Sequence, residues 1–208
     1  MIGNPPGQHV IKDFIYYSAL ASPSIDINSY IFTVNGDVEV NISKSYGDLL
    51  KMIDTEFESD FHCVTGWTVR GIKWSGIRLS TIISLVKPHG NNLLFRCLDG
   101  YTTTVNINDV YDNNGGPNED NAILALKING RALTYEQGFP LRPFFKDLYG
   151  WKSAKWLSEI TVMDAYLDGY WEERGYHQRG NVWNEERFKQ EDALKIKKQP
   201  MVKTFSSR

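Results

Sequence analysis

Three turn signals restrict this chain more than any other feature. Asn35-Gly36-Asp37, Asp99-Gly100 and Asn129-Gly130 each stand between short runs of β-branched, aromatic and leucine residues. Asn-Gly and Asp-Gly supply the positive-φ residues that tight hairpin turns require. The pattern predicts three hairpins: Tyr30–Val34 with Val38–Ile42, Leu93–Leu98 with Tyr101–Val105, and Ala122–Ile128 with Arg131–Leu133. A chain so punctuated, with 13% aromatic residues, folds around sheets.

Helical signals are fewer. Ser45 with Asp48 reads as the start of a short helix through Leu49, Leu50 and Ile53, because a serine and an acid three residues on can cap each other. Leu79, Ile82, Ile83 and Val86 recur on one helical face, and Pro88-His89-Gly90 stops that helix. Phe57–Val64 alternates, which puts Phe57, Phe61 and Cys63 on one face of a strand and His62 on the other. Residues 1–12 read as a loose lead-in, Phe14–Tyr17 as an aromatic extended run packed against something, and 113–117 as a mobile loop. The reading is one α+β domain with more strand than helix. Its core spans about 13–165, followed by an aromatic flap over 166–190 and a basic tail over 191–208.

Charge excludes some classes of partner. Lys+Arg, at 23, nearly balance Asp+Glu, at 25, so neither nucleic acid nor a membrane surface is expected to attract the chain. The N-terminus lacks a basic region followed by an apolar run, and no apolar segment approaches a membrane span. Cys63 and Cys97 are too few for a disulfide framework. The expectation is a soluble, cytoplasmic protein. His9, His62, His89 and His177 have no short paired spacing of the kind zinc requires. The motifs of serine hydrolases, P-loop NTPases and dinucleotide-binding folds do not occur.

The chemistry concentrates in Gln137–Ile160. Pro140 and Pro143 keep its first part extended, and Leu157–Met163 then alternates as a half-buried strand does. Between them Tyr149–Trp156 is a glycine-hinged loop that ends in small and basic residues. Such a loop can turn backbone N–H groups and a lysine toward a phosphate, or it can be a solvated loop with an aromatic rim. Cys63 stands at a strand end shortly before Gly66, where a thiolate can serve as nucleophile, redox thiol or soft-metal ligand, or simply be buried. Cys97, inside an apolar strand, reads as buried.

Six motifs in order then identify a family. They are Phe61–Trp67, Trp74-Ser75-Gly76, Asp99–Thr103, Gly138–Arg142, Tyr149–Trp156 and Gly169–Tyr176. Together they resemble the molybdopterin-binding domain of the sulfite oxidase family, especially its short prokaryotic members, over roughly residues 13–190. The resemblance implies the sulfite-oxidase-type fold of mixed sheets with a few short helices. It implies molybdopterin (the molybdenum cofactor) as cofactor and Cys63 as the thiolate ligand to the metal. It also implies that Asp99, Arg142, Ser153, Ala154 and Lys155 hold the pterin and its phosphate. Phe14 and its neighbours, Tyr16 among them, fall where the family's N-terminal strand meets the pterin. Tyr176 falls near the place of the family's active-site tyrosine.

Two departures bear on substrate. Gln137 stands where many members have His or Asn, and its amide can still bond a pterin edge. Tyr16 stands where the sulfite-oxidising members have an arginine, and a phenol does not replace a guanidinium fork. Arg70, Arg174 and Arg179 are the candidates to supply that charge from other segments. The implied activity is a mononuclear molybdenum oxidoreductase that moves an oxygen atom to or from a small-molecule substrate. Sulfite oxidation is one direction and S- or N-oxide reduction the other. A non-catalytic molybdopterin-binding protein is the reading from a different class. The haem and immunoglobulin-like domains of larger relatives have no counterpart among these motifs, so a separate electron-transfer partner is expected. The motifs carry no signal of oligomeric state.

Overall fold

The computed structural model describes residues 3–111 and 121–189. The loop expected at 113–117 and the tail over 191–208 lie outside the described residues. In chain order the elements begin β1 (His9–Ile11), β2 (Ile31–Gly36), β3 (Ile42–Ser45), α1 (Tyr46–Lys51), β4 (Thr55–His62), β5 (Trp67–Arg78) and α2 (Leu79–Val86). They continue β6 (Asn92–Cys97), β7 (Thr102–Asn106), β8 (Ala122–Ile128), β9 (Arg131–Ala132), β10 (Arg142–Phe145) and β11 (Leu157–Met163).

These strands form two sheets. One has β1, β5, β8 and β10 in order, with β4 also on β5 and β9 on β8. The other runs β3-β2-β11-β6-β7, and β11 lies parallel to β2. β8 explains how the layers share a core. Its run Ala-Ile-Leu-Ala-Leu is continuously apolar, as a strand buried on both faces must be. Ala122, Leu124 and Leu126 join the main core with Phe32, Phe95 and the buried face of α2. Ile123 and Ala125 turn to a second cluster built on Phe61, Trp67, Trp74 and Phe144. Trp74 and Phe144 stack there at 3.9 Å, a geometry worth roughly 0.5–1.5 kcal/mol beyond the area it buries.

Local signals translate into structure where the bonds are local. Ser45 Oγ accepts from Asp48 N at 3.2 Å while Asp48 Oδ2 accepts from Ser45 N at 3.2 Å, so the capping box forms. α2 buries Leu79, Ile82, Ile83 and Val86. Asn129 and Gly130, with φ of 51° and 76°, make the turn between β8 and β9. The turn at Asp99-Gly100 joins β6 to β7, closed by Gly100 N donating to Cys97 O at 2.9 Å.

Three expectations are corrected. The second arm of the first hairpin begins at Ile42 rather than Val38. Asp37 N is drawn to Val162 O at 2.9 Å and Val38 bridges to Pro88, so distant partners take the backbone groups that a short hairpin would have used. The lead-in is not wholly loose: His9–Ile11 pairs in parallel with Trp67–Val69. Phe14–Tyr17 is not a strand of either sheet. Phe14 packs on Phe61 and Trp67, whereas Ile15, Tyr16 and Tyr17 are largely exposed.

Candidate active site

β4 ends at His62, and Cys63–Gly66 reverses the chain into β5. Cys63 N donates to Trp67 O at 2.8 Å and Gly66 N to Cys63 O at 3.0 Å, with Gly66 at φ 101°, so glycine fits the turn. The Cys63 side chain is part-exposed, and its Sγ lies 3.2 Å from Thr65 Oγ1.

The loop after β10 docks against this turn. Gly150 N donates to His62 O at 2.7 Å, and a Cβ at Gly150 would stand 2.3 Å from the Phe61 ring. Only glycine lets the loop come so close. The loop then folds back as Ser153 N bonds Gly150 O at 3.1 Å and Trp156 N bonds Gly138 O at 3.2 Å. Arg142, buried at the start of β10, braces both strands of this bend by donating to Gln137 O at 2.8 Å and Ser153 O at 2.6 Å.

A cavity of about 460 Å³ opens between these pieces. Its wall brings together Cys63, Asp99, Arg142, Ser153, Ala154 and Lys155. Phe14, Tyr16 and Tyr176 also line it. Gln137 does not line it. Its Oε1 accepts from Thr134 N at 2.9 Å, and its Nε2 lies 3.5 Å from the Tyr16 hydroxyl. Arg70, Arg174 and Arg179 stay off the wall too. Arg70 bonds Asn4, Arg174 donates to Tyr170 O at 2.6 Å, and Arg179 pairs with Asp109 at 2.7 Å.

The electrostatics of the wall suit a polar guest. Arg142 Nε and Ser153 Oγ are buried and have no hydrogen-bond partner among the described residues. Buried polar atoms of this kind are rare unless something bonds them. Burial lowers the Arg142 pKa to about 10, and burial with Arg142 nearby lowers that of Lys155 to about 8. Lys155 Nζ donates to Ser18 Oγ at 2.7 Å and sits over the Trp156 ring. Burial raises the Asp99 pKa, although Tyr101 N bonds its carboxylate at 3.0 Å. Burial, then Cys63 and Tyr17, raise that of Tyr176, which keeps its phenol protonated. A thiol, two cations and two unsatisfied polar atoms around one cavity fit an anionic, oxygen- and nitrogen-rich cofactor with a soft metal.

The segment after β11 is a wall of this site. Trp171 and Tyr176 line the cavity, and Glu172 is fully buried beneath them. There Glu172 Oε1 accepts from Lys152 Nζ at 2.5 Å, Thr103 Oγ1 at 2.7 Å and Trp151 Nε1 at 3.1 Å. Sequence reasoning missed this pair. The available signal was Lys152 directly after Trp151, the first of the loop's two lysines. It also missed Thr65, Tyr101 and Trp151 on the wall. Among the described residues no group of three or more His, Cys, Asp or Glu could hold a metal ion, and no helix is long and apolar enough to cross a membrane.

Comparison with known proteins places the chain in a family. The family model for the oxidoreductase molybdopterin binding domain matches residues 19–171. An uncharacterized oxidoreductase of Bacillus subtilis, YuiH, is 34% identical over 187 residues, covering 88% of this chain and 91% of that protein. A putative protein-methionine-sulfoxide reductase subunit of Azospira oryzae, YedZ1, is 26% identical, covering 78% of this chain and 60% of that protein. The sulfite oxidase of Arabidopsis thaliana is 28% identical over 53% of this chain and 32% of its own length. Among solved structures, the sulfane dehydrogenase SoxCD of Paracoccus pantotrophus superposes with a TM-score of 0.59 at 22% identity, covering 69% of this chain and 40% of that one. The chain thus spans a third to three fifths of three of these proteins and nearly all of YuiH. It belongs to the oxidoreductase molybdopterin-binding domain family, the molybdopterin-dependent oxidoreductases of sulfite-oxidase type.

Proposed function

We propose that the cavity holds molybdopterin, with Cys63 as the protein's ligand to the metal, and that it acts on a small neutral oxide, an S- or N-oxide, in preference to sulfite. When bound, the cofactor supplies two-electron oxygen-atom transfer, and the protein positions it and sets the local charge. Arg142, Ser153, Ala154 and Lys155 receive the phosphate and the pterin edge, Arg142 and Ser153 through the atoms left unsatisfied on the wall. Asp99 accepts a hydrogen bond from the pterin. Phe14 and Tyr16 flank it. Tyr176 keeps its proton and donates a hydrogen bond to a substrate oxygen.

The observation that carries the substrate reading is the charge on the cavity wall. Ile15, Tyr16, Tyr17, Val64, Trp171 and Tyr176 are uncharged parts of it, and its cations are Arg142 and Lys155. Arg142 and Lys155 belong to the proposed phosphate end, and the three arginines that were candidates to replace a substrate-facing guanidinium bond elsewhere. The similarity to a putative protein-methionine-sulfoxide reductase subunit points the same way. Steady-state kinetics with sulfite and with a panel of S- and N-oxides, using an artificial electron mediator, test it. The expected result is kcat/KM for the best oxide at least about tenfold above that for sulfite, the factor about 1.4 kcal/mol gives. Faster and tighter sulfite turnover would overturn the reading. Electrons pass to or from a separate protein partner. Both cysteines are free thiols, which suits a reducing, cytoplasmic setting.

The phosphate end makes a second prediction. Lys155→Ala should lose one charge-assisted hydrogen bond, roughly 1.5–3 kcal/mol. That corresponds to about 10- to 150-fold in cofactor affinity. The pH dependence follows from linkage. A phosphate beside Lys155 favours its charged form, so binding takes up a proton once the free-protein group, with its pKa of about 8, has lost it. Retention should therefore be strongest below pH 8 and fall above it, by up to about tenfold per pH unit. Lys155→Arg, charged throughout, should flatten that fall. Pterin retained after extended dialysis at several pH values measures both, and a Lys155→Ala protein with wild-type retention would remove Lys155 from the phosphate site.

A further inference from the structure

We propose that Arg187 is a positioning residue for Cys63: its guanidinium ties the turn that carries the thiol to the N-terminal segment and so sets where the sulfur points in the cavity. The inference rests on the reading of Cys63 as metal ligand.

The Cys63–Gly66 turn is short and reaches the cavity edge, and by itself it has one hydrogen bond across it and one to β5. Two distant segments hold it from behind. Arg187 Nη1 donates to Val64 O, the carbonyl next to Cys63, while its Nη2 donates to Pro6 O at 3.1 Å. The same guanidinium lies over the Tyr149 ring at 5.0 Å, and Tyr149 stacks on Trp151 in the cavity wall. Gln8 completes the clasp. Its Nε2 donates to Cys63 O at 3.0 Å and its Oε1 accepts from Thr68 Oγ1 at 3.0 Å. Thr68 Oγ1 in turn lies 2.8 Å from His62 Nδ1.

The packing leaves little slack. A Cβ on Gly7 would meet Arg187 Nη2 at 2.7 Å, and one on Gly66 would meet Gly7 O at 3.1 Å. Arg187 is only 15% exposed, although it ends a segment rich in polar residues. An arginine fork can donate to two carbonyls at once along fixed directions, and a lysine cannot. Holding the Cys63 and Val64 carbonyls fixes the backbone that follows the thiol without touching the sulfur. Misplacing a reacting group by about 1 Å can cost on the order of a hundredfold in rate, so such a clasp matters to catalysis.

The test uses the full chain, with and without cofactor. In cofactor-free protein, iodoacetamide reads Cys63, because Cys97 is buried. Arg187→Ala should alkylate about tenfold faster than wild type, because the turn opens locally. Arg187→Lys keeps the charge without the fork and should fall between. Arg179→Ala releases the Asp109 contact of the same segment without touching the turn, and should stay within about twofold of wild type. In cofactor-loaded protein, the Mo(V) EPR signal of Arg187→Ala should shift or broaden at unchanged pterin content. Wild-type alkylation and EPR in Arg187→Ala would overturn the proposal, as would an Arg187→Lys protein indistinguishable from wild type or equal acceleration in Arg179→Ala. If Arg187→Ala does not fold, Gln8→Ala decides by the same readouts. Failure of the ligand reading is separable: Cys63→Ser with full turnover would sink it and leave the alkylation result standing.

Discussion

Cys63→Ser is expected to fold, to retain pterin and to show no measurable turnover. The turn does not depend on the sulfur, since its bonds are made by the Cys63 backbone, and the thiol's hydrogen-bond partner among the described residues is Thr65 Oγ1 at 3.2 Å. A serine can keep that contact, so the substitution removes chemistry rather than structure. What is lost is a soft thiolate donor for a soft metal, for which a hydroxyl is a poor substitute. Cys97→Ser is the contrasting case. Cys97 is buried in β6, where burial and then Asp99 push its thiol pKa well up, so it stays a neutral part of the core. Placing a hydroxyl there should cost roughly 1–3 kcal/mol of stability and leave turnover of the folded protein near normal. Thermal unfolding, cofactor content and turnover on the two variants separate the roles. Turnover in Cys63→Ser would end its assignment as ligand.

The largest stability effect is expected at Lys152. Its ammonium is fully buried and bonds Thr104 O at 2.7 Å, Glu172 Oε1 at 2.5 Å and Gln178 O at 2.5 Å. Lys152→Met leaves the Glu172 carboxylate buried without its cation, a change that costs about 3–5 kcal/mol. At roughly 2–4 °C per kcal/mol for a chain of this size, Tm should fall by about 10 °C. Adding Glu172→Gln removes the stranded charge while keeping an acceptor for Thr103 and Trp151, so the double variant should recover much of the loss. The pair also joins two walls of the cavity, the loop before Ser153 and the segment of Trp171 and Tyr176. Surviving Lys152→Met protein should therefore hold less cofactor. A Tm within about 2 °C of wild type would show that the pair contributes little.

What could be read from the sequence follows from how local each feature is. α2 and the turns at Asp99-Gly100 and Asn129-Gly130 are made by neighbouring residues, and the sequence displays them. The capping box at Ser45 and Asp48 is of the same kind. The second arm of the first hairpin was misplaced because Val162 and Pro88, far along the chain, take the groups involved. The parallel pairing of β1 with β5 has no local signature either. At the site, every residue the ordered motifs pointed to except Gln137 lines the cavity, but Thr65, Tyr101 and Trp151 line it without having been singled out. The motifs could not show Lys152 as buried or Arg187 as partly buried, because lysine and arginine are ordinarily exposed and only the completed fold supplies their partners. Nor could they show that Arg70, Arg174 and Arg179 bond elsewhere and stay off the cavity wall.

The central claim is that this cavity holds molybdopterin through Cys63 at the metal and Lys155 at the phosphate. Molybdenum analysis combined with pterin fluorescence tests it most directly, on wild type, Cys63→Ser and Lys155→Ala made in a host that synthesises the cofactor. The account predicts matched molybdenum and pterin, about one of each per wild-type chain. Cys63→Ser should keep pterin without turnover, and Lys155→Ala should lose molybdenum and pterin together on dialysis. Folded wild-type protein that carries neither molybdenum nor pterin from such a host would contradict it.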